Sequence, residues 1–215
     1  MKLSSNKFKS AIICSVLCLG ILSGCTPKAE QPKQDNSVTT EARQEEAESV
    51  SLPIEQPLEL MFASGAGGWS TDITLNLDGY FEGIYHDSDM GDAGTEYPNG
   101  TVYICKFNGQ FEDIKKIDDN FYSMTLNGMN ITTGNESEWI EDGIRYIPSE
   151  PYGMESGKEY IFYTPKTPVE GLSKGFISWW PDWMYSNNGT PDTLSCYGLY
   201  NKELGYGFFT YDYDN

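Results

Sequence analysis

The sequence predicts an all-β fold, an antiparallel meander closed into a barrel or stacked as a sandwich, with one short helix. Three observations carry this. From Leu58 onward, apolar residues alternate with polar or small ones over short runs, the period of half-buried strands. The runs are punctuated by Asp-Gly and Asn-Gly pairs, which tolerate the positive φ that tight hairpins need. Only one stretch carries a helix-start signature.

Taken in order, Leu58, Leu60 and Phe62 mark a first strand, and Ile73, Leu75 and Leu77 a second. Asp78-Gly79 then reads as a two-residue turn into Tyr80, Phe81, Ile84 and Tyr85. A second hairpin is expected from residues 101–107 through Asn108-Gly109 into Phe111, Ile114 and Ile117. Residues 121–126 form another strand, meeting a third turn pair at Asn127-Gly128. Further strands are expected at 144–147, 160–164, 194–200 and 206–211. The segment Thr167-Pro168-Val169-Glu170 reads as a capping box opening a helix toward Trp180. Residues 75–84 and 105–114 share one plan, which is either an internal duplication or hairpin geometry repeating itself.

The N-terminus has a different character. Lys2, Lys7 and Lys9 precede an apolar run of about a dozen residues, shorter than the roughly 20 a spanning helix needs. The run ends in Leu22-Ser23-Gly24-Cys25, which resembles the lipobox of bacterial lipoproteins. That resemblance implies a signal peptide over residues 1–24 and acylation of Cys25, palmitate among the chains. Several acyl chains on one residue give the stable membrane anchoring that a single chain does not. Residues 25–57 are polar, acidic and free of aromatics, the composition of a disordered tether. Residues 58–215 are expected to form a single extracytoplasmic domain.

The chain has a formal net charge of −18, and no acid precedes Cys25. Such an excess argues against nucleic acid as a partner and against a basic grip on anionic lipid. Two finer resemblances add to this. Gly67-Gly68-Trp69 resembles the entry to the first strand of calycin-type barrels. The run from Ser64 to Gly109, with Tyr85-His86-Asp87-Ser88-Asp89-Met90-Gly91-Asp92 and Tyr97-Pro98-Asn99-Gly100-Thr101, is similar to a group of lipoproteins of gut-type Gram-positive bacteria. The second resemblance implies export and lipidation and carries no activity. The implied location is the outer face of the cytoplasmic membrane, or the outer membrane in a Gram-negative cell.

Four sets of residues are candidates for chemistry. Cys105 and Cys196 remain once Cys14 and Cys18 leave with the signal and Cys25 takes lipid. A bridge between them would close a loop of about 90 residues and contribute about 4 kcal/mol; two separate buried thiols are the alternative. Asp87, Asp89, Asp92 and Glu96 crowd a long polar loop and offer hard oxygen ligands for Ca²⁺, although the spacing does not fit an EF-hand. His86, the only histidine, stands beside Ser88 without a nucleophile elbow or a zinc pattern. Trp179, Trp180, Trp183 and Tyr185 form either a stacking platform or the cap of a barrel end. The resulting expectation is a non-enzymatic module binding carbohydrate, a small ligand or an envelope protein. The alternative is a hydrolase using His86 or paired carboxylates on envelope or carbohydrate substrates.

Overall fold

The computed structural model describes residues 50–65, 67–134, 137–182 and 191–211. The strands are β1 (Leu58–Phe62), β2 (Trp69–Leu75), β3 (Tyr80–Asp89), β4 (Thr101–Lys116), β5 (Phe121–Ile131), β6 (Trp139–Glu141), β7 (Ile144–Pro148), β8 (Glu159–Tyr163), β9 (Gly198–Asn201) and β10 (Tyr206–Phe209). A one-turn helix, α1 (Lys174–Ile177), lies between β8 and β9. Strands β1–β5 and β8–β10 pair antiparallel in chain order, and β10 returns to β1 at Met61 and Phe209. Of the two architectures that alternation allows, the closed eight-stranded barrel is the one formed. Closure removes the unpaired edges a sandwich would keep. The β6–β7 hairpin stands outside the barrel, with β7 parallel to the first residues of β4 and β6 at the sheet's edge.

An eight-stranded barrel has an interior that side chains just fill. Here alternate residues supply Leu60, Phe62, Ile73, Leu75, Phe81, Phe107, Phe111, Phe162, Leu199 and Phe208, all buried. Their rings interlock: Phe81 and Phe111 centroids are 4.8 Å apart, and Phe111 and Tyr160 4.9 Å. A second cluster of Tyr163, Phe176, Ile177, Trp180, Leu194 and Phe209 packs separately. Because Phe162/Tyr163 and Phe208/Phe209 are adjacent pairs pointing to opposite faces, this second cluster covers the outside of the wall.

Four expectations need correction. The Asp78-Gly79 turn has a three-residue loop: the Asn76 N–H donates to the Tyr80 carbonyl, and Gly79 alone takes positive φ, at 85°. Asn108-Gly109 is no turn at all, because β4 runs straight through it. Gly109 is there for close approach: a Cβ would lie 2.5 Å from the Phe81 ring. Reciprocally, a Cβ on Gly83 would lie 2.4 Å from Phe107, and the register sets Phe81 opposite Gly109 and Gly83 opposite Phe107. The echoed sequence plan is therefore one turn and one ring-over-glycine pairing, not two hairpins. Asn127-Gly128 likewise sits within β5, where the β4–β5 register slips between Gly109 and Phe111. A second slip, between Glu112 and Lys115, coincides with a positive φ at Asp113; such bulges bend the sheet toward closure.

The capping box does not form. Thr167 Oγ1 donates to the carbonyls of Asn120 and Thr164, Pro168 bridges to Thr193, and Gly171 takes a φ of 89° that ends any helical run. The helix begins later, at Lys174.

The two cysteines are free thiols. Cys105 belongs to the inner core and Cys196 packs against the outer cluster, so the barrel wall separates them.

The polar segment ends earlier than its composition suggests. Leu52 and Ile54 are buried in the inner core, and the Leu52 N–H donates to the Leu77 carbonyl. Residues 50–54 thus plug one mouth. At the other, Thr71 Oγ1 donates to the Tyr152 carbonyl, while Asn201 Nδ2 donates to the carbonyls of Gly153 and Ser156.

Candidate functional site

With the interior filled, concave surface is found on the outside. The larger described pocket, about 590 Å³, lies across the outer faces of β1–β4. Its residues follow from the pairing register. One row crosses the strands as Glu59, Thr74, Glu82 and Asn108, and the next as Met61, Asp72, Ile84 and Lys106. Four strands set side by side make this floor about 14 Å wide. Tyr211, following β10, stands along one side, and Thr132, following β5, along the other. Its apolar surface comes from half-buried Met61 on β1 and Ile84 on β3, with Asp72 between them in the same row. With them stand three carboxylates, one ammonium, an amide and three hydroxyls, so donors and acceptors are interleaved with apolar surface. The volume falls in the range of small-ligand sites.

Above these rows on the same outer face lies a polar cluster. Ser70 Oγ donates to Asp72 Oδ2 at 2.6 Å and lies 3.4 Å from His86 Nδ1. In a nucleophilic serine the hydroxyl proton must point to the imidazole. Here the carboxylate is the shorter contact of the hydroxyl and the imidazole the longer one. The cluster holds Asp72 at the groove's upper boundary.

Family models, curated proteins and solved structures yield no match to this chain, so the site is read from its own chemistry.

The residues singled out from sequence fall elsewhere. Asp87 and Asp89 are on β3, and Asp89 Oδ1 accepts from the Gly91 and Asp92 backbones, shaping the turn. Asp92 Oδ2 pairs with Arg145 at 2.5 Å, and Glu96 is exposed. Arg145 also lies over the Tyr97 ring, and Asn99 bonds to the backbone of Asp142 and Gly143. The loop is thus pinned to β7, and no group of three metal-ligating side chains occurs among the described residues. Trp180 is fully buried in the outer cluster. Trp179 packs at the barrel rim, 4.6 Å from Phe62 and 5.6 Å from Tyr206, which makes it a cap. Trp183 and Tyr185 lie outside the described residues, as does Cys25.

None of the groove residues stood out in the sequence as a site residue, and Ile84 and Asn108 were read only as strand and turn. The available signal was the outward half of each alternating strand, and it needs register to become a surface. Reading Asn108-Gly109 as a turn would have cut that surface in two.

Proposed function

We propose that the protein is a lipid-anchored binding protein of the outer face of the cell membrane, and that its β1–β4 groove takes carbohydrate. The anchoring half rests on Leu22-Ser23-Gly24-Cys25 and the basic, then apolar, residues before it. The binding half rests on one observation, the groove in which hydrogen-bonding groups are interleaved with the apolar side chains of Met61 and Ile84. Sugars present the complementary chemistry, with hydroxyls at the ring edge and apolar C–H faces above and below. Carboxylates and amides accept and donate to hydroxyl pairs, and an apolar floor accepts the ring face. The excess of acid over base in the groove opposes phosphorylated or carboxylated ligands. The reading is binding without turnover, and the Ser70 hydroxyl, which donates to Asp72 at 2.6 Å, is assigned no nucleophilic role in it.

Calorimetric titration with hexamers of glucose, mannose, xylose and N-acetylglucosamine tests this. At least one should bind, and Asn108→Ala or Glu82→Gln should weaken it tenfold or more without changing the melting temperature. No binding to any of them would overturn the carbohydrate reading. Appearance of new reducing ends during incubation would replace binding with hydrolysis. Metabolic labelling should place acyl chains on wild-type protein and none on Cys25→Ala, which should appear in the medium.

A further inference from the structure

Resting on the carbohydrate reading of the groove, we infer that the ligand is a linear neutral glycan whose far end stacks on Trp139. The motive is an aromatic pair that the fold itself does not use. Trp139 and Tyr146 stack with centroids 5.1 Å apart and planes within 13°. Both remain partly exposed, and neither belongs to or packs against either hydrophobic cluster. Tyr146 covers one face of the indole. Among the described residues no strand stands beyond Trp139, because β6 is the edge of the sheet.

The register joins this pair to the groove. Trp139 pairs with Tyr146, Tyr146 with Val102, and Val102 with Ser88. Residues two apart on a strand share a face, so Val102, Ile104, Lys106 and Asn108 point outward together along β4. Between the aromatic row and the nearest groove row lie Pro148, Ile104, His86 and Ser70, in register, with Ile104 and Ser70 buried and Pro148 and His86 partly exposed. One outer surface therefore runs about 20 Å along β4, from the Trp139–Tyr146 stack to Asn108 and Glu82. A monosaccharide fills the groove alone, whereas only a chain of several sugar rings reaches both ends.

Charge selects among such chains. Glu59, Asp72 and Glu82 outnumber Lys106 on this face, so an anionic polymer is repelled and an uncharged one is not. A ring face stacked on an aromatic is worth up to about tenfold in affinity.

The test compares the dimer and hexamer of whichever neutral sugar binds, using the full chain. The hexamer should bind at least tenfold more tightly. Trp139→Ala should lower hexamer affinity about five- to tenfold and leave the dimer unchanged, and Trp139→Phe should restore most of the loss. The Trp139 indole N–H resonance should shift with hexamer and not with dimer, a readout that holds even if the alanine variant is unstable. Equal affinity for dimer and hexamer, or a Trp139 resonance indifferent to hexamer, would overturn the extended face while leaving the groove standing. Loss of both ligands in Asn108→Ala, with Trp139→Ala neutral, would restrict binding to the groove.

Discussion

At the scale of single residues, the polar groups inside the barrel carry much of its specificity. Asn201 is fully buried, yet its Nδ2 bonds to the carbonyls of Gly153 and Ser156 and to the Tyr160 hydroxyl, while its Oδ1 accepts from the Leu204 N–H. One side chain thereby fixes the mouth loop against β9. Asn201→Ala leaves several of these groups buried and unpaired, and should cost about 3 kcal/mol in a denaturant titration. A loss under 1 kcal/mol would mean that water replaces the amide. The thiols offer a second residue-scale test. Burial pushes Cys105 and Cys196 up to about 11. A group whose folded value is raised adds stability that is present below its unfolded value, near 8.5 to 9, and lost as pH rises through the folded one. Stability should therefore fall between about pH 9 and pH 11, and replacing both cysteines by alanine should flatten that decline. Alkylation under denaturing, non-reducing conditions should modify both, as free thiols require.

At the scale of elements, the sequence was legible where alternation alone decides. The strands at 58–62, 144–148 and 159–163 lie where their alternating apolar residues put them. It was misleading wherever a tertiary neighbour decides. Asn108-Gly109 carries turn chemistry, but Phe81 lies over Gly109 and makes an interior strand position of it. Likewise Thr167-Pro168-Glu170 has the residues of a helix start. The Asn120 and Thr164 carbonyls claim the Thr167 hydroxyl, and the bridge flanking Pro168 ties the Val169 N–H to the Asp192 carbonyl and the Thr167 carbonyl to the Leu194 N–H. The groove was illegible for the same reason, since it consists of cross-strand neighbours and register is a property of pairs. Gly109→Ala separates the two readings of that dipeptide. In an exposed hairpin turn the change would be mild; here the new methyl meets the Phe81 ring at 2.5 Å and the Gly128 carbonyl at 2.9 Å. A loss of about 2 kcal/mol is expected from thermal unfolding, and a loss below 0.5 kcal/mol would return Gly109 to a turn.

At the scale of the whole molecule, the barrel fills its interior with packed side chains and leaves its concave surface on the outer wall, and the chain before β1 takes part in the first of these. The segment 25–57 reads as tether by composition, yet its last residues turn inward. Val50 and Leu52 donate backbone N–H groups to the carbonyls of Ile114 and Leu77, and Leu52 and Ile54 are 2 % and 6 % exposed. Each such side chain contributes about 2 kcal/mol on burial, so the pair supplies about 4 kcal/mol, a large part of the 5–15 kcal/mol typical of a domain. The plug also closes the mouth where Leu75, Phe81 and Phe111 would otherwise meet water. A chain shortened to begin at Leu58 should therefore lose about 4 kcal/mol of unfolding free energy in urea. A chain beginning at Glu45 should unfold at the midpoint of the full-length protein. Leu52→Ser in the longer chain should reproduce about half of the loss, since it removes one of the two buried side chains and leaves the backbone bonds in place. Should the two shortened chains unfold at the same urea concentration, residues 50–54 would be a passive end of the tether, and the barrel would begin at Leu58 after all.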